Sequence, residues 1–256
     1  MTCFTFRWPS HYRYLKELVE EGFIGRCFHC HICLFTGTGR ERGYSWRYDS
    51  KHGNGMLSEF GAHMIDLVRW LVGDIVKVSA NLNMFIKRPG TGKGVLDPTN
   101  DSAMLALELV NGTQCVMQLS DLAYIGTYGM DQRITLYGES GTLEARATFR
   151  GSEIRGARTS DLGELAAIET FSSPEIHTER DGVEEFHPLP IPARILAGVD
   201  KANPYHVISQ FLGNYLFIDS ILEDRPISPS FIDGLKAQEV IDAAKESHQR
   251  GCWVSL

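Results

Sequence analysis

The stretch DSAMLALELVNGTQCVMQLSDLA, residues 101–123, holds two apolar runs separated by an Asn-Gly pair. Asn-Gly readily adopts the left-handed backbone conformation that a tight turn between antiparallel strands requires. The spacing therefore predicts a β-hairpin that turns at Asn111 and Gly112. The stretch RITLYGESGTLEARA, residues 133–147, repeats this pattern with its turn at residues 139–141.

Two further strands and four helices are predicted around these hairpins. The strands are RCFHCHICLF at residues 26–35 and DIVKVSANLNMFI at residues 74–86. Amphipathic periodicity and terminal signals place the helices as follows: 11–21 behind an N-cap at Ser10, 53–73, 204–223 and 230–248. The intervening residues 150–203 are polar and rich in proline, so they predict short strands and loops.

Strands joined by hairpins, with helices at both ends of the chain, predict an α+β fold. We expect a large, mostly antiparallel sheet with helices on one face. The runs VSANLNMFI (78–86) and AMLALELV (103–110) place apolar residues on both faces of their strands. The second face of the sheet is therefore predicted to be covered by another subunit in a homo-oligomer, most simply a dimer.

Composition excludes several classes of protein. The 256 residues are 43% hydrophobic and 22% charged, which is typical of a globular protein with a sizeable core. A net charge of −7 argues against nucleic acid or an anionic membrane as partner. No apolar run reaches the ~18 residues that span a bilayer, and the first residues do not form a signal peptide. We therefore expect a cytoplasmic protein with reduced cysteines.

The segment CFHCHIC, Cys27 to Cys33, has the two-residue spacing of iron–sulfur ligands. No fourth cysteine follows nearby, and the Cys-Pro ending of that motif is missing. The segment also fits a strand, on which Cys30 is expected to point away from Cys27 and Cys33 because side chains alternate between faces. We interpret it as a structural strand.

The helix that begins in GNGMLSEFGAHMIDLVRW, residues 53–70, carries three titratable side chains on one side. Glu59, His63 and Asp66 stand at i, i+4 and i+7, so they share a stripe only ~60° wide. A second stripe, rotated by roughly 100°, is apolar and predicts the core contact. Its members are Phe60, Met64, Leu67 and Leu71. The polar stripe therefore lies beside the buried face, where a helix borders a cleft.

Three segments carry a resemblance to a known family: EEGFIG (20–25), GNGMLSEFGAHMIDLVRWLVG (53–73) and the closing DGLKAQEVIDAAKESHQRGCWVSL (233–256). In this order they resemble the Gfo/Idh/MocA oxidoreductases, which include glucose–fructose oxidoreductases, inositol dehydrogenases and other sugar dehydrogenases. The resemblance covers almost the whole chain but concerns only the C-terminal substrate domain of those enzymes.

The resemblance implies NAD(P)-dependent oxidation of a sugar or polyol hydroxyl. His63 would be the acid/base. Glu59 would stand where the family usually has a catalytic aspartate, whose side chain is one methylene shorter than that of glutamate. Asp66 matches the second acid of the motif; we count it with the substrate-binding candidates but interpret it mainly as structural, paired with an arginine. Trp46 and Arg47, just before the helix, are candidates to stack on and hold a sugar, unless they form a solvated loop.

The chain shows no G-x-G-x-x-G between a strand and a helix, and it lacks the family's Glu-Lys-Pro segment. We therefore predict no Rossmann domain in it. Residues 1–25 would be the linker that leaves a missing nucleotide-binding domain, and residues 26–256 the substrate-binding and dimerisation domain. NAD or NADP would belong to the full-length parent, with no cofactor bound tightly by this chain, which alone would be inactive.

Two other function classes stay open. The chain could be a non-enzymatic sugar-binding or dimerisation module that kept the fold after loss of the cofactor domain. Alternatively, Glu59, His63 and Asp66 could be the three protein ligands of a zinc ion in a metal-dependent hydrolase or lyase.

Overall fold

A mixed β-sheet forms the centre of the computed structural model, which describes residues 1–90, 94–159, 184–196 and 211–256. Its strands are β1 Cys27–Thr36, β2 Ile75–Asn83, β3 Ser102–Leu109, β4 Gln114–Ser120, β5 Met130–Gly138, β6 Gly141–Thr148, β7 Gly151–Arg158, β8 His187–Pro188 and β9 Val254–Ser255. Across the sheet they follow the order β8-β7-β6-β5-β1-β4-β3-β2-β9. The first strand of the chain therefore lies at the middle of the sheet.

The helices are α1 Ser10–Glu20, α2 Gly55–Glu59, α3 Gly61–Leu71, α4 Ala193–Leu196, α5 Phe211–Leu222 and α6 Phe231–Arg250. Helix α6 packs along β2, α3 packs between α6 and β1, and α1 packs on β6 and β7. In β1 the side chains of Cys30 and Ile32 are buried in this layer, while His31 between them is exposed. One face of the sheet thus carries the core, and the described residues leave the other face open.

Both predicted hairpins are confirmed. Strands β3 and β4 pair antiparallel across the Asn-Gly turn, where Gly112 has a φ of +83°. Strands β5 and β6 pair antiparallel across the second turn. Local turn chemistry was sufficient to identify these two contacts.

The predicted sheet type is wrong, because the sheet is mixed and not mostly antiparallel. Strand β1 runs parallel to β4, with His29 opposite Gln114 and Phe35 opposite Ser120. On its other side β1 is antiparallel to β5. The parallel pair requires a long crossover between its strands, and α2, α3 and the strands β2 and β3 provide it. The local sequence pattern does not indicate which distant strand pairs with β1.

The single helix predicted for residues 53–73 is two helices, α2 and α3, with Phe60 between them. Phe60 has a φ of −96° and a ψ of −28°. Backbone bonds still join the two helices, because the Phe60 N–H donates to the Met56 carbonyl and the Met64 N–H to the Phe60 carbonyl, at 3.2 and 3.1 Å. The predicted core stripe is confirmed at Met64, Leu67 and Leu71, which are buried.

The termini of the other helices match the prediction in part. Helix α1 includes Ser10 as its first residue, and Pro9 takes the cap position without a side-chain bond, so the predicted Ser10 cap is wrong. Helix α6 begins behind a capping box of Ser230 and Asp233. Residues 204–210 of the predicted third helix, and 160–183 and 197–203 of the predicted loop region, lie outside the described residues.

The cysteine segment forms strand β1, as predicted. A register shift between Cys27 and His29 adds a bulge, and both Cys27 and Cys30 are buried. Strict alternation had predicted opposite faces for these two, and the bulge is the reason for the difference. Burial raises the pKa of the Cys27 thiol to about 12, and the nearby Cys30 adds to the rise. Such a thiol stays protonated at neutral pH.

The open face of the sheet carries partly exposed apolar side chains. Met104 on β3 and Val116 on β4 are 50% and 54% exposed, and Tyr137 on β5 is 40% exposed. Among the described residues, no helix is both long and apolar enough to cross a bilayer.

Candidate functional site

The glycine-rich entry to α2 is fixed by close backbone packing. Gly55 has a φ of +60°, and a Cβ placed there would lie 2.0 Å from the Asn100 carbonyl oxygen. Asn100 caps the helix from a distant segment: its carbonyl accepts from the Met56 N–H at 3.0 Å, and its side-chain oxygen accepts from the Leu57 N–H at 2.9 Å. Only glycine fits this turn, which explains the Gly-Asn-Gly sequence.

A cleft of about 240 Å³ lies where this turn meets the preceding loop. Its lining consists of Trp46, Arg47, Gly53, Asn54, Gly55, Ser58 and Glu59. The structure thereby brings together three of the five predicted site residues, since Trp46 and Arg47 come from a 3₁₀ turn, Trp46–Tyr48, and Glu59 from the end of α2.

An ion pair and an exposed indole dominate the chemistry of the cleft. The Arg47 guanidinium lies 3.2 Å from a Glu59 carboxylate oxygen, with the two side chains 47% and 30% exposed. Burial raises the pKa of Glu59, and Arg47 opposes part of that rise. The Trp46 side chain is 59% exposed. An aromatic face beside paired donors and acceptors suits a ligand with both C–H and hydroxyl groups.

The sequence interpretation missed three polar residues at this cleft. Asn54 and Ser58 line it, and Lys245 on α6 donates to the side-chain oxygen of Asn54 at 2.9 Å. Asn54 and Ser58 stand within the motif that was singled out, so position alone could have indicated them. Lys245 is distant in sequence, and no pattern links it to the cleft.

His63 lies one turn beyond Glu59 and does not line the cleft itself. Its ring packs edge-on against Phe4 and Phe6, with centroid distances of 5.7 and 5.1 Å. Nδ1 is buried and has no hydrogen-bond partner among the described residues. Burial lowers the pKa of His63 to about 4, so the imidazole is neutral at pH 7. A neutral ring beside a cleft can accept a proton.

Asp66 is buried, with 1% of its surface exposed, and forms an ion pair. Arg7 donates to it through Nε at 2.7 Å and through Nη2 at 2.5 Å, and Nη2 also donates to Asp233 at 3.0 Å. Burial raises the pKa of Asp66, and the bonds from Arg7 oppose the rise. The arginine partner predicted for Asp66 is therefore Arg7, and both carboxylate oxygens are engaged away from the cleft.

The zinc alternative would need Glu59, His63 and Asp66 to converge on one ion. Within the described ranges, no group of three His, Cys, Asp or Glu side chains is arranged to hold a metal. Glu59 is paired with Arg47, and Asp66 with Arg7. These contacts separate the three side chains into different environments.

Comparison with known proteins places this arrangement in a family. Residues 12–144, more than half of the chain, match the GFO/IDH/MocA C-terminal domain. The chain belongs to the GFO/IDH/MocA family. The match includes the cleft and the α2–α3 motif.

Two curated relatives illustrate the range of this GFO/IDH/MocA group. Levoglucosan dehydrogenase of Pseudarthrobacter phenanthrenivorans is 27% identical over 281 residues, an alignment that covers all of this chain and 66% of that protein. The mouse glucose-fructose oxidoreductase domain-containing protein 1 is 27% identical over 255 residues, covering 94% of this chain and 60% of that protein. This chain thus spans less than two thirds of the length of either relative.

Solved structures show the same fold. A levoglucosan dehydrogenase in complex with NADH superposes with a TM-score of 0.78 at 23% identity, covering all of this chain and 65% of that one. A complex with NADH and levoglucosan gives the same TM-score. The matched dehydrogenases are longer proteins solved with NADH, so the comparisons do not support the predicted exclusion of a Rossmann domain.

Proposed function

We propose that residues 26–256 form the substrate-binding part of an NAD(P)-dependent sugar or polyol dehydrogenase. One observation carries the proposal: Trp46, Arg47 and Glu59 share a cleft, and a neutral His63 lies one helical turn away. Residues 1–25 would connect this part to a nucleotide-binding part of the longer protein. The NADH-bound levoglucosan dehydrogenases support a nicotinamide cofactor and a sugar substrate.

The proposed chemistry removes a hydride from a carbinol carbon and a proton from its oxygen. The nicotinamide supplies the hydride acceptor when it is bound. In the chain itself, the neutral imidazole of His63 takes the hydroxyl proton, which its lowered pKa permits at pH 7. Glu59 and Arg47 bind neighbouring hydroxyls as acceptor and donor. The Trp46 face packs on the C–H side of the ring and excludes water.

Asp66 acts through Arg7 in this scheme and does not touch substrate. Arg7 joins the N-terminal segment, which carries Phe4 and Phe6, to α3 and α6. That segment packs on the His63 ring. The ion pair therefore fixes the environment that keeps His63 neutral. We expect the 256-residue chain alone to oxidise no sugar, and a protein that joins it to a nucleotide-binding part to do so.

Replacing Trp46 by alanine is expected to weaken sugar binding by roughly 3- to 10-fold, since a well-placed aromatic contact contributes about 1 kcal/mol. Isothermal titration with levoglucosan and a panel of neutral hexoses measures this change. The matched control is Trp253→Ala, since Trp253 is 52% exposed and lies outside the cleft. Equal losses of sugar affinity in Trp46→Ala and Trp253→Ala would contradict the assignment of Trp46 to the sugar-binding cleft. Binding without oxidation by the longer protein would favour a non-enzymatic sugar-binding module.

We also propose that the open sheet face mediates self-association, because Met104 and Val116 are exposed there on adjacent strands. Light scattering is expected to give twice the mass of the chain for the wild type. Val116→Lys should shift the protein towards monomer, because it places a charge in a desolvated interface. Gln249→Lys, at an exposed position of helix α6, adds the same charge elsewhere and should leave the dimer intact. A monomeric wild type would end this proposal.

A further inference from the structure

A buried polar cluster lies behind the wall of the cleft, and the proposed chemistry does not use it. Tyr48 ends the 3₁₀ turn that carries Trp46 and Arg47, and it is 5% exposed. Its hydroxyl donates a hydrogen bond to the Asp121 carboxylate at the end of β4. Its ring packs under the Arg88 guanidinium, 3.7 Å from the ring centroid. The Tyr48 side chain therefore anchors the turn in the core.

The neighbouring carboxylate in the cluster is already neutralised. Asp101 is fully buried and accepts from Arg88 Nη1 at 3.2 Å. It also accepts the backbone N–H groups of Phe85 and Ile86, at 2.9 and 3.0 Å. Asp101 therefore takes the direct bond from Arg88, and among the described residues the Asp121 carboxylate accepts from the Tyr48 hydroxyl.

Asp121 is 2% exposed, and its Oδ1 has no hydrogen-bond partner in the described part of the chain. Gly39 packs directly on it, since a Cβ at that position would lie 2.2 Å from Oδ1. The titratable and charged groups that face Asp121 are Tyr48, Arg88, Asp101 and Glu59. Burial raises the pKa of Asp121 to about 6; the Tyr48 hydroxyl and Arg88 oppose the rise, while the two carboxylates add to it.

The backbone of the same turn is hydrogen-bonded to residues 97–99. The Thr99 N–H donates to the Tyr48 carbonyl at 3.0 Å, and the Ser50 N–H donates to the Asp97 carbonyl at 2.8 Å. These bonds join the turn to the segment that leads into β3. The bond from the Tyr48 hydroxyl to Asp121 adds a direct side-chain contact between the turn and the end of β4.

We propose that Asp121 is a positioning residue of the cleft: by accepting the Tyr48 hydroxyl, it sets where Trp46 and Arg47 stand. The inference deepens the proposed sugar-binding function and rests on it for the ligand only. Above pH 6 the ionised carboxylate makes a charge-assisted bond, which is stronger than the neutral bond left after protonation. Acidification is therefore expected to loosen the turn.

The first test follows the indole N–H resonance of Trp46 in ligand-free protein, assigned by its loss in Trp46→Phe. Its chemical shift is expected to change with a midpoint near pH 6. Asp121→Asn should abolish the transition, because the amide does not titrate. His52→Gln is the control: it removes an exposed imidazole from the same loop and should leave the transition in place. A transition that survives Asp121→Asn, or its absence in the wild type, would overturn the proposal.

The second test uses Tyr48→Phe, which removes one oxygen and keeps the ring under Arg88 in a folded protein. We expect the Trp46 resonance to move at pH 8 and the affinity for levoglucosan to fall by roughly 3- to 10-fold. Asp131→Asn removes a buried carboxylate on β5 and should change neither. If the resonance moves but no sugar binds the wild type, the positioning role stands and the proposed function fails. If the Trp46 resonance does not move in Tyr48→Phe, the positioning role is refuted, whether or not the affinity for levoglucosan changes.

Discussion

Replacing Asp66 by alanine is expected to lower the free energy of unfolding by about 3–5 kcal/mol, since it leaves a buried guanidinium without its main partner. The Arg7 and Asp66 side chains are only 6% and 1% exposed, and two hydrogen bonds join them. Asp233 remains 3.0 Å from Arg7, which limits the loss. Urea denaturation followed by circular dichroism measures the change.

The matched control for this prediction is Asp74→Ala, which breaks an ion pair with Arg69 on the same helix. The Asp74 side chain is 59% exposed, so the expected cost is at most about 1 kcal/mol. Arg7→Met combined with Asp66→Leu should recover part of the loss, because the uncompensated charge is removed with its partner. If Asp66→Ala costs no more than Asp74→Ala, the buried pair does not fix the N-terminal segment.

His63→Gln, tested in the proposed full-length dehydrogenase, is expected to reduce kcat/KM for sugar oxidation by about 10²- to 10⁴-fold, the usual contribution of a general base. The glutamine side chain fills much of the imidazole volume between Phe4 and Phe6 but takes no proton. His52→Gln, on the exposed loop, provides the control and should keep full activity. A His63→Gln enzyme within threefold of wild type would remove His63 from the chemistry.

The pH profile offers a second readout for His63. Burial lowers the pKa of His63 to about 4, so the imidazole stays neutral as the pH falls to that value. The reaction rate should therefore fall near pH 4, whereas a histidine with an ordinary pKa would give a fall near pH 6.5. The same lowered pKa makes the folded state less stable as the pH falls. Between pH 6.5 and 4 the unfolded chain binds the proton more readily, so stability present above 6.5 is lost as pH falls. Relative to His63→Gln, the free energy of unfolding of the wild type should fall by up to about 3 kcal/mol between pH 6.5 and pH 4.

Local chemistry explains what could be predicted from the sequence. The hairpin at Gly112 and the start of α6 behind Ser230 follow from residues within a few positions of each other. The grouping of Trp46, Arg47 and Glu59 in one cleft likewise follows from a short stretch of chain. Side-chain patterns carry this information because turns and caps are made by near neighbours.

Contacts between distant segments could not be predicted in the same way. The start of α2 is capped by Asn100, from a segment across the fold, and the helix breaks at its other end, at Phe60. The bulge that buries Cys27 depends on pairing with β5. The tie from Tyr48 to Asp121 joins a surface turn to the end of a strand far along the chain. Each requires knowledge of which segments become neighbours.

The central place of β1 has a consequence for synthesis on the ribosome. Cys30 pairs with Cys115 on one side and Leu136 on the other, so both neighbours of this strand are translated long after it. Until they emerge, the nascent chain presents an apolar strand with two unpaired edges, which invites aggregation. Folding of the sheet must therefore wait for translation to pass residue 138, and polypeptides released earlier would depend on chaperones to stay in solution.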